Sequence, residues 1–200
     1  MLALAALVAF TPELAQAQSK QLKKLLAMTP DDFYGKLRRD GGGSLDTWVG
    51  FSTENGFQQK QGLLGLIPTD VYLKAAIDRK TGETVFSVTG IANYYGDWML
   101  FDRASYETSG GPKDATLDVI ARDVVSCAGS QVMGGCKMRE AFNFVVDEAV
   151  LRSFAVKSGV QGIWRIKFRS SRGRDWIDGF SPAEIIAILR AVDEFRSSIK

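Results

Sequence analysis

Two cysteines, Cys127 and Cys136, are the residues of this 200-residue chain whose spacing points most directly to chemistry. They stand at the facing ends of two segments, 117–126 and 137–146, whose alternating apolar and polar side chains predict adjacent antiparallel strands. The Cα separation at such ends suits a disulfide, so we predict a structural disulfide between them. A redox couple is the alternative, but the pair lacks the close Cys-x-x-Cys spacing that lowers a thiol pKa.

Cationic side chains alternate with large apolar ones in the segment 164–169 and continue through the turn that follows. The five cations are Arg165, Lys167, Arg169, Arg172 and Arg174. In a strand the first three share one face, and such a stripe suits the phosphate, sulfate or carboxylate groups of an anionic polymer or a membrane surface. The alternative is a solvated face whose cations discourage edge-to-edge pairing of strands.

Three aromatic residues and an aspartate surround a tight Gly-Asp turn and form a second candidate ligand site. The residues are Tyr94, Tyr95, Asp97 and Trp98. Aromatic rings at a loop tip stack on sugars or on an apolar surface of a partner, and the aspartate supplies a polar contact. The alternative is that these rings alternate into the core at the ends of the strands.

The chain contains no histidine, which excludes Ser-His-Asp and Cys-His nucleophiles, histidine general bases and nearly all zinc or copper sites. We therefore expect neither a metal nor a cofactor. Carboxylates remain as general acids or bases, but the compact pair Asp175 and Asp178 would point to opposite faces of a strand. Ser153 and Lys157 share a helix face, which alone does not make a Ser-Lys nucleophile. The glycine motifs of nucleotide-binding loops are absent from the sequence.

The N-terminus has the pattern of an export signal. An unbroken apolar run over 2–10 is followed by a Thr-Pro pair and by Ala-Gln-Ala, which signal peptidases accept. We expect residues 1–17 to be a signal peptide cleaved before Gln18, which places the mature protein in a bacterial periplasm or outside the cell. The run is too short for a transmembrane helix, which needs roughly 18 to 20 apolar residues. A buried N-terminal helix is the alternative, because no basic residue precedes the run.

The composition is that of an ordinary globular protein, with 46% hydrophobic and 24% charged residues. The net charge of +2 is too small for a typical nucleic-acid binder. We expect a helical N-terminal segment with a glycine linker over 18–43, followed by a single domain over 44–200.

Local patterns predict a mainly antiparallel sheet of about six strands. The segment 71–146 is predicted to be a meander that ends in the cysteine hairpin, with a Gly/Pro loop over 108–113, and 163–180 is predicted to be another hairpin. Helices are predicted after Asp147 and after the capping box that begins at Ser181, and both would pack on one face of the sheet. The fold class is therefore α+β, with a short helical N-terminal segment through about Arg39.

These features together favour an exported, non-catalytic protein that binds an unidentified partner or ligand at the bacterial envelope. One alternative is a carboxylate-based enzyme whose site residues come from distant strands, which convergent acids with shifted pKa values would support. The other is a binder of anionic polymers or of a membrane surface.

Overall fold

A computed structural model describes residues 12–61, 67–127, 135–159 and 162–199. Its helices are α1 (Pro12–Ala27), α2 (Pro30–Tyr34), α3 (Glu148–Ala155) and α4 (Pro182–Ser198). Its strands are β1 (Arg38–Gly41), β2 (Trp48–Ser52), β3 (Gln59–Gln61), β4 (Ile67–Asp78), β5 (Thr84–Tyr95), β6 (Phe101–Thr108), β7 (Gly111–Thr116), β8 (Asp118–Ser126), β9 (Lys137–Val146), β10 (Trp164–Ser170) and β11 (Trp176–Phe180).

The strands form two antiparallel sheets, which confirms the predicted α+β class. The larger sheet has the order β1-β2-β4-β5-β9-β8, and the short strand β3 pairs with β4 beside that path. The smaller sheet has the order β11-β10-β6-β7. The sequence predicted a single sheet. This is wrong, because four of the strands form a separate sheet.

Aromatic rings join the two sheets in one core. Phe142 of β9 lies 5.1 Å from Phe168 of β10 between ring centroids, and 5.2 Å from Phe101 of β6. Tyr106 of β6 stacks on Phe144 of β9 at 5.3 Å. Helix α4 covers the neighbouring part of the larger sheet, where it contacts β2 and β4.

The predicted meander is wrong at its third strand, because β6 leaves the larger sheet and β5 pairs with β9 instead. The chain changes direction at Leu100, whose φ is 56°. The backbone N–H groups of Leu100 and Phe101 both donate to the buried carboxylate of Glu140, at 2.9 and 3.3 Å. This carboxylate holds the start of β6 against β9 and directs it into the smaller sheet.

Two segments predicted as helix or loop are edge strands. The predicted second helix ends at Tyr34 rather than Arg39, and Arg38–Gly41 pairs with β2. The predicted Gly/Pro loop contains β7, whose Pro112 lies on an edge strand, where a missing N–H is tolerated. Edge strands need only one neighbour, so glycine, proline and charge do not prevent their formation.

The N-terminal helices pack on α4. Leu25 and Phe33 are buried in a small cluster with Ala187. Helix α2 begins with a capping box in which Thr29 and Asp32 bond each other's backbone N–H groups. This docking holds the N-terminal segment on the domain.

The expected signal sequence lies partly outside the described residues, which begin at Pro12. Helix α1 runs through the expected cleavage position before Gln18. Cleavage there stays a prediction. Among the helices of the described ranges, none combines the length and apolar character needed to cross a membrane.

Candidate functional site

The predicted disulfide between Cys127 and Cys136 is confirmed, with a Cα separation of 4.1 Å. It closes the hairpin of β8 and β9 next to the pair Ser126 and Lys137, which lie opposite each other. The chain-entropy model gives about 2.5 to 3 kcal/mol of stabilisation for a ring of this size. A disulfide of this kind is typical of an oxidising compartment.

The aromatic turn lies against the disulfide hairpin, since the N–H of Gly96 donates to the carbonyl of Cys136 at 3.1 Å. Tyr94 is buried, and its hydroxyl donates to Glu140 while it accepts from the N–H of Met99 at 3.0 Å. Its hydroxyl is therefore occupied within the core.

The other three residues of the aromatic turn are nearer the solvent. Asp97 is exposed, and Tyr95 and Trp98 are half-buried. A role of these three in binding stays a prediction.

The cations of β10 lie on the outward face of the smaller sheet. Their neighbours Trp164, Ile166 and Phe168 are buried, so the alternation places Arg165 and Lys167 opposite the core. Arg169 shares this face. Arg172 and Arg174 are exposed in the turn between β10 and β11.

These cations differ in how strongly other side chains hold them. Lys167 Nζ lies 2.7 Å from Asp175 Oδ2, and Arg169 Nε donates to Ser105 Oγ at 2.9 Å. Arg165 makes no ion pair or side-chain hydrogen bond with any residue that the structure describes. Its guanidinium is available to a ligand.

A shallow depression of about 200 Å³ lies on the same outward face. Its lining residues are Ser105, Tyr106, Glu107, Pro112, Arg165, Ile166, Lys167 and Ile177. The strand register explains the arrangement, because Ser105 and Ile177 both lie opposite Lys167, one on each neighbouring strand. Ile177 is 62% exposed, so the depression combines two cations with an apolar wall.

A further cation pair lies beside the depression, where Arg103 of β6 is directly opposite Arg169 of β10. Like charges at directly opposite positions destabilise a sheet. Arg103 pairs with Asp102 of the same strand at 3.8 Å, and both side chains are exposed to solvent. A bound anion would offset the repulsion between the two guanidinium groups.

Three buried carboxyl groups, from Asp70 of β4, Asp178 of β11 and Glu184 of α4, form a second unusual feature. Their exposed fractions are 5%, 7% and 3%. We call these three residues the acid cluster. It lies where both sheets and α4 meet.

Backbone and side-chain groups near the acid cluster donate hydrogen bonds to its carboxyls. Asp70 Oδ2 accepts from the N–H of Asn55 at 2.9 Å, and Asp178 Oδ1 accepts from the N–H of Gly179 at 2.7 Å. Glu184 Oε1 accepts from Thr53 Oγ1 at 2.6 Å. These donors are neutral, so they do not balance a buried negative charge.

Burial raises the pKa of all three groups, because a carboxylate loses its hydration there. The pKa of Asp70 rises to about 6 and that of Asp178 to about 7. The pKa of Glu184 rises well above its usual range. Repulsion adds to burial, since Asp70 raises the pKa of Asp178 and both raise that of Glu184.

The sequence does not reveal the acid cluster, although it contains a partial signal. Asp178 alternates with the buried Trp176 and Phe180, which indicates an inward position. Glu184 follows Ser181 as in a capping box, but its carboxyl bonds Thr53 instead. Asp175, by contrast, is exposed and bonds Lys167.

The acid cluster does not have the geometry of a metal site. Within the ranges that the structure describes, no three Asp, Glu or Cys side chains are placed to hold a metal ion together. The arrangement is suited instead to taking up and releasing protons near neutral pH.

Comparisons with known proteins do not assign the chain to a family. It matches no protein-family model, no curated protein and no solved structure. The two features from which a function can be inferred are therefore the cationic face of the smaller sheet and the acid cluster.

Proposed function

We propose that this protein is exported to an oxidising compartment, the periplasm or the cell exterior, and binds an anionic ligand there without catalysis. The ligand site is the outward face of β6 and β10. The observation that carries the proposal is that Arg165 and Lys167, two cations of the alternating stripe, line the depression on that face. Sequence pattern and surface shape thus favour the same residues.

The charge arrangement supports an anionic ligand. Arg165 is not engaged by other described side chains, and Arg103 and Arg169 face each other with like charge. Guanidinium groups bind sulfate, phosphate and carboxylate groups through paired N–H donors. The acid Glu107, also at the depression, restricts where an anion fits and favours the Arg103 side of the face.

Export is supported by two independent features. The disulfide between Cys127 and Cys136 is of a kind that persists in oxidising compartments. The apolar run and the small-residue pattern before Gln18 match an export signal.

A carboxylate-based enzyme has less support. The acid cluster supplies convergent carboxyls with raised pKa values, but each of the three side chains is at most 7% exposed. A general acid must come within hydrogen-bond distance of the reacting group, and this burial keeps a substrate away. The cationic face is exposed, so a ligand can reach it without any movement of the fold.

Heparin, a sulfated polysaccharide, is a direct probe of the proposed site. We expect the double variant Arg103→Glu and Arg165→Glu to lose about tenfold or more in heparin affinity, since a charged hydrogen bond contributes about 1.5 to 3 kcal/mol. The measurement is titration of heparin at fixed ionic strength. Neither side chain is buried, so the fold is expected to persist.

The control is the double variant Lys74→Glu and Lys80→Glu, which makes the same change in net charge at exposed positions of β4 and the turn after it. Its heparin affinity is expected to stay within about twofold of the original, because distant exposed charges are screened. Equal losses in both double variants would show that heparin affinity depends on the net charge of the protein and not on the proposed site. Unchanged affinity in the first variant would refute the site.

A further inference from the structure

Strand β8 is an open edge of the larger sheet. It pairs with β9 on one side, and the part of the chain that the structure describes places no strand on its other side. Its nine residues exceed the four, six and five of the edge strands β1, β7 and β11. An edge of this length presents a row of backbone N–H and C=O groups to which a further strand can bond.

The exposed side chains of this edge are largely apolar. Those of Val119, Ile120, Val124 and Val125 are between 45% and 57% exposed. Edge strands that remain single usually carry lysine or proline, and β8 contains neither. We therefore expect the edge to be covered by another strand of similar character.

We propose that β8 pairs antiparallel with β8 of a second copy of this chain, across a two-fold axis at Arg122, so that the two larger sheets become one. In such a dimer each residue lies opposite the residue that is equally far from the axis in the other copy. Val119 then lies opposite Val125, and Ile120 lies opposite Val124, on both sides of the axis. The pairing is independent of the anion-binding face, which belongs to the smaller sheet.

Charges at the two ends of β8 match those of a second copy. Asp118 begins β8 opposite Asn143, and Lys137 of β9 lies opposite Ser126 at the other end. Neither Asp118 nor Lys137 makes an ion pair or a side-chain hydrogen bond with any residue that the structure describes. Asn143 and Lys137 are an even number of residues apart on β9, so both free charges lie on one face of the sheet. The axis at Arg122 brings each Asp118 opposite Ser126 of the other copy, next to its Lys137, and forms this contact twice.

The cation at the axis is compensated within each copy. Arg122 Nε lies 3.0 Å from the buried carboxylate of Glu140, and Nη2 donates to the carbonyl of Phe101 at 3.4 Å. Each copy therefore brings a neutral ion pair to the axis and not an uncompensated like charge, which would oppose pairing.

The two irregularities of β8 fit the same axis. Its pairing with β9 shifts register between Val119 and Ala121 and again between Val124 and Ser126, once on each side of Arg122. Such bulges bend an edge strand and increase its twist, which hinders pairing with a regular strand. In the two-fold dimer each bulge faces a bulge of the other copy, so both strands bend at the same places.

Sedimentation equilibrium of the disulfide-bonded chain over a range of concentrations tests the pairing. We expect monomers and dimers with a Kd of about 10 μM or lower. In the double variant Ile120→Lys and Val124→Lys we expect the Kd to rise about thirtyfold or more, because lysines of the two copies would lie directly opposite each other. The control is Val85→Lys and Val156→Lys, which adds the same charge at exposed valines outside β8 and is expected to keep the Kd within about threefold. Circular dichroism checks that both double variants are folded.

A charge exchange tests the register. We expect Asp118→Lys alone and Lys137→Asp alone each to raise the Kd about tenfold, because each creates two contacts between like charges. The double variant Asp118→Lys and Lys137→Asp restores opposite charges and is expected to return the Kd to within about threefold of the original. Within one copy the length of β8 separates these two positions by about 20 Å, so such a rescue arises only between copies.

Each other outcome would overturn the inference. A chain that stays monomeric at about 100 μM has no such interface. Equal Kd values in the β8 double variant and its control would place the contact on another surface, and a charge exchange without rescue would refute the axis at Arg122. Assemblies that grow beyond the dimer would indicate open-ended pairing of sheet edges, which a two-fold contact does not produce.

Discussion

At the scale of single residues, Glu140 is the best satisfied buried charge of the described chain. Its carboxylate accepts from Tyr94, from Arg122 Nε at 3.0 Å and from the N–H groups of Leu100 and Phe101. Four donors compensate for the hydration that a buried carboxylate loses, which is why this acid tolerates burial. The donors described for the acid cluster, which are the N–H groups of Asn55 and Gly179 and the hydroxyl of Thr53, are all neutral.

Glu140→Gln is expected to lower the free energy of unfolding by about 3 kcal/mol, because an amide brings its own donors toward groups that already donate and leaves Arg122 without its anionic partner. Chemical denaturation measures the loss. Asp123→Asn is the control, since its ion pair with Arg139 spans 3.7 Å between exposed side chains and contributes less than about 1 kcal/mol. Equal losses in the two variants would show that the network around Glu140 has no special role.

Residue features were predictable from the sequence only where they depend on neighbours in the chain. Cys127 and Cys136 flank one hairpin, so local strand patterns suffice to pair them. Asp70 and Asp178 are far apart in sequence and meet only because the two sheets stack. A prediction from periodicity gives the face on which a residue lies but not which sheet covers that face.

At the scale of elements, the docking of α2 on α4 shows how the N-terminal segment is held. Phe33 is almost fully buried, next to Leu25 and Ala187. Outside this cluster, Arg190 pairs with Asp31 at 2.9 Å and lies over the ring of Tyr34. The apolar cluster contributes most of the stability, because exposed ion pairs contribute little.

Phe33→Ala is therefore expected to lower the free energy of unfolding by about 3 to 4 kcal/mol, the usual cost of removing a buried phenyl ring. Tyr34→Phe, which removes only the exposed hydroxyl bond to Glu194, is expected to cost less than about 1 kcal/mol. Thermal or chemical unfolding followed by circular dichroism compares them. Similar small effects for both would mean that the N-terminal segment is not part of the cooperative domain.

Most strands and the final helix were predicted because their patterns are local. Helix α4 begins at Pro182, directly after the predicted cap Ser181. The pairing of β5 with β9 was not predictable, because β6 leaves the larger sheet through contacts of Glu140 that no local pattern encodes. The edge strands β1 and β7 were missed, because β1 was predicted as the end of a helix and the start of a glycine linker, and β7 as a Gly/Pro loop.

At the scale of the whole molecule, the acid cluster sets how stability depends on pH. A carboxyl whose pKa is raised on folding binds its proton more tightly in the folded chain than in the unfolded one. Folding is then favoured at low pH, and this advantage is lost as the pH rises through the folded pKa. A rise in the pKa of Asp178 from 3.8 to about 7 corresponds to about 4 kcal/mol. The pKa of Asp70 rises from 3.8 to about 6, so this carboxyl also lowers the free energy of unfolding as the pH rises, over a narrower pH range.

We therefore expect the free energy of unfolding to fall by several kcal/mol as the pH rises from about 4 to about 7, opposite to the usual acid denaturation of proteins. Urea titrations at several pH values measure the slope. In Asp178→Asn, which cannot ionise at this position, the decline is expected to be smaller by about a third or more, because one of the three proton-binding carboxyls is gone. Asp78 has a pKa lowered by backbone hydrogen bonds from Thr81 and Lys80, so its stabilising effect is almost complete above about pH 5, and Asp78→Asn should leave the slope between about pH 5 and 7 nearly unchanged. A stability that rises from pH 4 to 7 in the original chain would mean that the three buried carboxyls are hydrated in solution and do not keep their raised pKa values.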